Sequence, residues 1–446
     1  MPLCTFKILN NMSLLALSAA FIMTSTFAHA QGRSGSNDKE CMLVPEKIIN
    51  LETPAYGGSM KWKRTIAQAE TQLGHDRLIR IFDDKKRFLV IGEHKSPDTG
   101  ATGIQIITMD FNGQILETVQ KDLSTLGRII DVIHHDERLY VLLEKLSTGS
   151  DERHAQLNVY SEDGKILQSK TYKDDRHVVI PAAMVIDDRG DLYIATQYKR
   201  KGGDPAKNIY ASSVLYKLKP NKEIEWKRSL LPSTASKIHK IITRKGGGFI
   251  VAGEVAVTGG RNRNRVGGWL MALSAQGGME WQRAYPRGYN ARLNYVEEND
   301  KGIIFAAGTA YPVGQEAGAA WVMTNYANSN PIWQSFFRGP YDYKTLGFSV
   351  NENSQASVVL QGEPVDMGGL PHVRVLDLSQ LGYVQSDHSY IEGNGVLGSA
   401  YHSFSDNNLG RYIMGSAQMP SSGENNHILD GWIASLNPFR KRDKCQ

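Results

Sequence analysis

Long apolar runs are scarce in this chain of 446 residues, and the clearest one lies near its start. Residues 14–22 are apolar but too few to span a bilayer. Lys7 precedes them and Ala28-His29-Ala30 follows as an A-x-A motif, a combination typical of a secretory signal peptide cleaved before Gln31. A buried N-terminal helix is the alternative interpretation. No other segment has the length and apolarity to cross a membrane, so we expect an exported protein, periplasmic or secreted.

Cysteine is nearly absent, with three in the whole chain. Cys4 precedes the apolar run, so it is not the lipid-modified cysteine that follows a lipoprotein signal. Export would leave Cys41 and Cys445, which stand near opposite ends of the mature chain. Two cysteines in an oxidising compartment predict one disulfide.

A strong charge of one sign is also missing, since the formal net charge is +5 with acids and bases both abundant. This balance permits attraction to anionic surfaces and gives no reason to expect nucleic acid. The chain has no Gly-x-Ser-x-Gly elbow, His-Glu-x-x-His motif, phosphate loop or calcium-loop spacing. His134-His135-Asp136 could suggest a metal site, but an exposed turn is the favoured interpretation. We therefore predict no metal and no cofactor.

What the chain does contain is a repeat of short apolar strands, each preceded by a polar turn. Seven such strands end at Gly92, Leu143, Thr196, Gly253, Gly308, Gly362 and Gly415, so that successive ends are 51–57 residues apart. Another apolar strand precedes each turn, and two more follow within the unit. Four antiparallel strands in about 54 residues form the pattern of a propeller blade, which predicts an all-β, seven-bladed β-propeller.

The seven tryptophans occupy two positions of this repeat. Third strands carry Trp269, Trp321 and Trp432, and fourth strands carry Trp62, Trp226, Trp281 and Trp333. Because no tryptophan lies outside the repeat, we interpret these rings as packing between blades rather than as a ligand cage.

The two chain ends predict how the ring closes. Residues 60–66 read as a fourth strand with no unit before it, and the last unit ends after its third strand. The N-terminal strand should therefore complete the last blade, which removes an exposed sheet edge. The predicted domains are a signal peptide at 1–30, a polar leader with Cys41 at 31–52, the propeller at 53–440 and a tail with Cys445 at 441–446.

One unit carries a recognisable form: Gly247-Gly-Phe-Ile-Val-Ala-Gly253, then Gly268-Trp-Leu-Met-Ala-Leu273 and Glu280-Trp-Gln-Arg-Ala-Tyr285. It resembles the tryptophan-containing repeats of secreted bacterial β-propellers, within the quinoprotein-like superfamily in its broad sense. The resemblance covers roughly residues 55–440 and implies a binding or scaffold protein. Lyases, quinoproteins and assembly factors share this fold, so the resemblance does not choose among functions. The Ala-x-Asp-x-x-Thr-Gly run of quinoprotein blades is absent.

Loops that join second to third strands, and blade to blade, emerge on one face of a propeller, where ligands usually bind. That face should collect basic residues and tyrosines, and guanidinium groups fit carboxylate, sulfate or phosphate oxygens. We predict ligand-binding roles for Lys199, Arg200, Arg261, Arg263, Arg265, Arg287, Tyr289, Arg292, Arg338 and Tyr341, with Lys201, Lys344, Tyr198 and Tyr343 nearby. A solvated, flexible set of loops is the alternative interpretation.

Two functions follow from this face. The first is a monomeric binding or scaffold module for an anionic glycan, an envelope component or a protein partner. The second is a lyase on an acidic polysaccharide, with arginine neutralising a uronate and His239, His402 or Tyr341 as candidate catalytic residues. Histidines satisfied within the innermost strands are the alternative to catalysis.

The predicted Cys41–Cys445 bond closes a loop of nearly the whole mature chain. The chain-entropy model gives such a bond about 5–6 kcal/mol as an upper value. Thiol titration of the denatured mature protein should detect no free thiol without reductant and two with it. Equal titres under both conditions would exclude the bond.

Overall fold

The computed structural model describes residues 46–52, 60–66, 75–84, 86–96, 99–147, 152–201, 212–231, 234–257, 265–286, 290–312, 317–365, 372–390, 398–406, 410–420 and 427–436. The predicted signal peptide and both cysteines of the predicted disulfide lie outside these ranges. Regular structure within them consists of β-strands, and no helix there has the length and apolarity to cross a membrane.

Two strands precede the repeated units, β1 (Glu46–Asn50) and β2 (Met60–Ile66). The first unit contains β3 (His75–Asp83), β4 (Phe88–Lys95), β5 (Thr102–Met109) and β6 (Ile115–Thr125). The second contains β7 (Gly127–His135), β8 (Arg138–Leu146), β9 (Arg153–Ser161) and β10 (Ile166–Tyr172). The third contains β11 (His177–Ile186), β12 (Leu192–Arg200), β13 (Ser212–Leu218) and β14 (Ile224–Ser229).

The fourth unit contains β15 (Ser236–Thr243), β16 (Phe249–Val257), β17 (Arg265–Leu273) and β18 (Met279–Tyr285). The fifth contains β19 (Asn290–Glu298), β20 (Ile304–Tyr311), β21 (Ala319–Asn325) and β22 (Pro331–Arg338). The sixth contains β23 (Tyr341–Val350), β24 (Ala356–Pro364), β25 (His372–Leu378) and β26 (Val384–Tyr390). The last contains β27 (Gly398–Asp406), β28 (Gly410–Pro420) and β29 (His427–Leu436).

Five sheets have four antiparallel strands, and the all-β architecture is consistent with the predicted propeller. In one of them β2 pairs antiparallel with β29, as the sequence pattern predicts. The sixth sheet is mixed and holds nine strands, because a parallel bridge between Val266 and Asn290 joins the fourth and fifth units and β1 adds at its edge. Each unit's first strand contacts the next unit's first strand, and β27 contacts β3.

The segment expected as a polar leader contributes a strand and an anchor. β1 runs parallel to the outer strand β22, and the Leu51 N–H donates to the Arg338 carbonyl at 2.6 Å. Leu51 itself is buried in the core. The Arg374 guanidinium, only 2% exposed, donates to the Glu52 carbonyl at 2.9 Å while it is paired with Asp387. Leu51 and the partly buried Ile49 give this short segment buried apolar surface, whereas Ile48 is exposed.

The core lies between neighbouring sheets. Second and third strands are buried almost throughout, as in β5, whose eight residues are all buried. Between the fourth and fifth units, Ile250 and Leu270 pack in one cluster with Trp321 and Phe336. Strands buried on both faces read as continuous apolar runs, which explains why the repeat is visible in the sequence.

Four fourth strands carry a tryptophan that connects their sheet to the next unit's outer hairpin. The Trp333 ring of β22 lies against Gly382 in the hairpin between β25 and β26, and its Nε1–H donates to the Gln380 carbonyl at 2.8 Å. Trp62 and Trp226 lie in the same way against Gly113 and Gly277. This arrangement agrees with packing between blades as the role of these rings.

Gly382 should be needed for this contact. A Cβ at that position would come within 2.6 Å of Trp333, and the backbone there has φ +74°. Gly246→Ala is the matched control, because Gly246 has φ +90° and a Cβ there would meet nothing within 4 Å. Both changes incur the left-handed backbone cost of about 1–2 kcal/mol, and Gly382→Ala should lose a further ~1–3 kcal/mol from overpacking. Denaturant unfolding measures the difference, and equal losses would contradict the packing role.

Candidate functional site

Every first strand contains one extra residue at the same point of its pairing with the second strand. These bulge residues are Ile79, Ile130, Ala182, His239, Asn294, Leu346 and Tyr401. A bulge interrupts the ladder and redirects the side chains around it, and such bulges are common beside functional sites. In the fourth and fifth units a glycine faces the residue before the bulge, where a Cβ would lie within 2.0 Å of a carbonyl. The glycines that end the sequence repeat there, Gly253 and Gly308, therefore allow close approach of the first strand.

A cation stands two residues before the bulge in five of the seven first strands: Arg77, Arg128, Lys237, Arg292 and Lys344. We call the end of the sheets at which the first strands begin the rim. Second strands end and third strands begin at this same end, since the strands are antiparallel. The rim therefore also contains Lys199 and Arg200 at the end of β12 and Arg265 at the start of β17.

Three of the five cations are neutralised by glutamates. Arg77 donates to Glu93 at 3.2 Å, and Lys344 donates to Glu363 at 2.7 Å. Arg128 shares Glu144 with Arg153, at 2.6 and 3.0 Å. Lys237 and Arg292 form no salt bridge within the described part of the chain, and the same holds for Lys199, Arg200 and Arg338 there. Beside the fourth and fifth units the rim therefore carries cations that form no salt bridge to a described residue, with Glu254 facing Lys237 across the strand pair.

His239 lies at the bulge of the fourth unit, next to Lys237 and Arg292. Its Nε2 is 3.8 Å from Glu254 Oε1, beyond hydrogen-bonding distance, and no hydrogen bond to this nitrogen is found among the described residues. Burial lowers the pKa of His239, and the charges of Lys237 and Arg292 lower it further. Glu254 acts in the opposite direction and raises this pKa, but the net effect is a lowering. At neutral pH the imidazole is therefore uncharged, with a nitrogen able to bind or accept a proton.

Glu254 supplies the complementary charge. Burial acts to raise its pKa, but His239, Lys237 and Arg292 together hold the pKa of this carboxyl below its usual value. An ionised carboxylate, a neutral imidazole and two cations thus lie together where the fourth and fifth units join. This is a group of side chains able to bind an anion and to take part in acid–base chemistry.

The structure brings some predicted site residues together and separates others. Arg265 lies next to Val266, whose bridge to Asn290 places it beside the strand that holds Arg292. Tyr341 is 4% exposed and packs edge-to-face on His372 at 4.5 Å, so its ring belongs to the core, as does that of Tyr343. His402 follows the bulge of β27 and pairs with Met414. Arg261, Arg263, Arg287 and Tyr289 lie outside the described residues.

A second group of charges, absent from the sequence predictions, lies further along the first strands. We call it the axial cluster: Arg80, Asp131, Lys240, Tyr295 and Glu297. Its members come from first strands of four different units, and Arg80 Nη2 bonds Asp131 Oδ1 at 2.5 Å. The sequence signal was a charged residue within an apolar strand, as in Leu78-Ile-Arg-Ile-Phe82.

Comparisons with known proteins add little about function. No protein-family model matches the chain, and no curated protein sequence matches it. Among solved structures, a puromycin hydrolase mutant complexed with PGG is 12% identical, with a TM-score of 0.42, and the match covers 82% of this chain and 62% of that one. Prolyl oligopeptidase B from Galerina marginata is 10% identical, with a TM-score of 0.41, over 76% of this chain and 46% of that one. The chain spans less than two thirds of the length of these structures, and neither likeness assigns it an activity.

Proposed function

We propose that this protein is an exported, seven-bladed β-propeller that binds an anionic polysaccharide at its rim. The pairing of β2 with β29 and the contact of β27 with β3 support a ring closed by the N-terminal strand. On this interpretation the nine-stranded sheet comprises two blades joined by a single bridge, with β1 as an added outer strand.

The observation that carries the proposal is that Lys237 and Arg292 form no salt bridge to any described residue, although the Glu254 carboxylate lies near both. Glutamates on the second strand form salt bridges with the equivalent residues Arg77 and Arg128. The corresponding glutamate opposite Lys237 is Glu254, whose charge is shared among His239, Lys237 and Arg292. Arg292 faces Thr309 rather than a carboxylate across the strand pair. Cations on neighbouring first strands present charges in series, which fits a polymer with repeated carboxylate or sulfate groups better than a single small anion.

The double variant Lys237→Gln/Arg292→Gln tests this proposal. It should bind an acidic polysaccharide such as polygalacturonate about tenfold more weakly than the wild type, since about 1.4 kcal/mol of charge-assisted bonding is lost. The matched control is Lys219→Gln/Lys301→Gln, which removes the same charge from exposed turns at the opposite end of the sheets. Calorimetric titration at low salt gives both affinities. Equal weakening in both variants would show that net charge, and not the rim, determines binding.

Acid–base chemistry at His239 is a second candidate function. It is favoured by the neutral imidazole, whose buried Nε2 has no hydrogen-bond partner among the described residues and lies beside the cations that would hold a uronate. In β-elimination the base takes the C5 proton, the electron pair forms the C4–C5 double bond, and the C4–O4 bond breaks as the leaving O4 takes a proton from water.

Absorbance at the unsaturated-uronate wavelength distinguishes this enzyme from a binding module. On a panel of acidic polysaccharides a lyase should give a steady rise that His239→Gln reduces by about 100-fold or more, the usual contribution of a positioned base. The control is the Lys219→Gln/Lys301→Gln variant, which should keep the wild-type rate. No rise on any substrate, with binding retained, would leave the protein a binding module.

A further inference from the structure

The axial cluster is separate from the rim site, and its acidic and basic groups differ in how well they are hydrogen-bonded. The cluster's acidic and phenolic groups are bonded within the protein. Asp131 accepts from Arg80 at 2.5 Å and from the backbone N–H groups of Val132 and Met184 at 3.0 and 3.1 Å. The Val350 N–H donates to Glu297 Oε2 at 2.8 Å, and the Tyr295 hydroxyl donates to the Leu346 carbonyl.

The two cations are less well satisfied. Arg80 Nε is buried and has no hydrogen-bond partner in the described part of the chain. The Lys240 ammonium makes no hydrogen bond or salt bridge to any described residue, although Lys240 is only partly exposed. Both come from first strands, and they lie close enough for the charge of Arg80 to act on Lys240. Buried donors without partners are uncommon, because each carries a desolvation cost that a bound group can remove.

We propose that the axial cluster binds a small oxyanion, a carboxylate, sulfate or phosphate group, between Arg80 and Lys240. Arg80 keeps its planar donors aligned by its bond to Asp131, so it can offer Nε without moving. Lys240 supplies a second charge from the first strand of another unit. The group can be a free inorganic anion or a terminal group of a polymer held at the rim, and the two sources predict different behaviour of the rim variant.

The charges around Lys240 give the site a pH dependence of known sign. Arg80, Asp131 and Glu297 act on it from the neighbouring first strands. Burial, with the charge of Arg80, lowers the pKa of Lys240 to about 8, and burial raises the pKa of Glu297 to about 7. As pH rises from about 6.5 to about 9, Lys240 loses its positive charge and Glu297 gains a negative one. Both changes weaken anion binding, by about tenfold or more over this range.

Sulfate is the probe of choice, since it keeps a charge of two over the whole range. Calorimetry at fixed ionic strength, with sodium chloride as the balancing salt, should show sulfate binding to the wild type at pH ~6.5 that weakens by about tenfold at pH ~9. Lys240→Met should remove it, whereas Lys301→Met, an exposed matched control, should retain it. Glu297→Gln should bind sulfate at pH ~8 at least as tightly as the wild type, because a competing carboxylate is gone.

Several results would overturn the site. These are no sulfate binding beyond chloride in the wild type, equal binding by Lys240→Met, or binding that does not weaken at high pH. If Lys240→Met does not fold, the pH dependence of sulfate binding to the wild type and the affinity of Glu297→Gln for sulfate decide whether the site exists.

The rim variant Lys237→Gln/Arg292→Gln distinguishes the two sources of the anion. Unchanged sulfate binding in this variant indicates a free anion site. If an acidic oligosaccharide loses affinity in Lys240→Met as well as in the rim variant, its terminal group occupies the cluster. If the rim does not bind an acidic polysaccharide, sulfate can still bind in the axial cluster. The proposed function and the proposed anion site can therefore be disproved independently.

Discussion

The extra residue in each first strand is the constraint on which the contacts between successive first strands depend. First strands make their ladder bonds with the second strand of their own sheet, so they contact one another through side chains. Side chains that follow the bulge supply hydrogen bonds that link units. Asp131 reaching the Met184 N–H and Glu297 reaching the Val350 N–H are two such links. The same geometry places the candidate site, since His239 is itself a bulge residue.

The fourth strands are joined to the following unit by different chemistry. Four of them carry a tryptophan whose ring lies against the outer hairpin of the following unit, as Trp333 lies against Gly382 and Trp62 against Gly113. These contacts bury apolar area and add an indole N–H bond where the geometry permits, as between Trp281 and the Ala327 carbonyl. β1 adds another tie by running along β22, and Lys47 extends from it over the ring of Tyr383 in the sixth unit. The apolar core between the sheets is therefore supplemented by polar links between first strands and aromatic links from fourth strands.

The two proposed sites differ in how the repeat supplies them. At the rim, a cation recurs at one position in five units. We propose binding at the two units where the glutamate opposite this cation is either shared with His239, as for Lys237, or missing, as for Arg292. In the axial cluster, each unit contributes a different residue at the position after the bulge, so no repeat pattern identifies it. Arg80, Asp131, Lys240 and Tyr295 occupy this one position in four units. A repeated backbone thus creates a place where unlike side chains meet.

The sequence by itself determined the all-β class, the four-strand unit and the positions of the tryptophans, because strands buried on both faces leave continuous apolar runs and period-defining turns. It also predicted the pairing of β2 with β29, because the first strand of the repeat region has no unit of its own and the last unit has no fourth strand. It placed Tyr341 among ligand-binding residues, whereas the ring lies in the core against His372, since strand alternation could not show which face was covered. Only the tertiary structure decided that Lys237 and Arg292 form no salt bridge to a described residue, unlike Arg77 and Arg128, and that Arg80 lies close enough for its charge to act on Lys240. Those facts depend on contacts between residues far apart in the chain, and a bulge that shifts register by one residue leaves no periodic signal in an apolar strand.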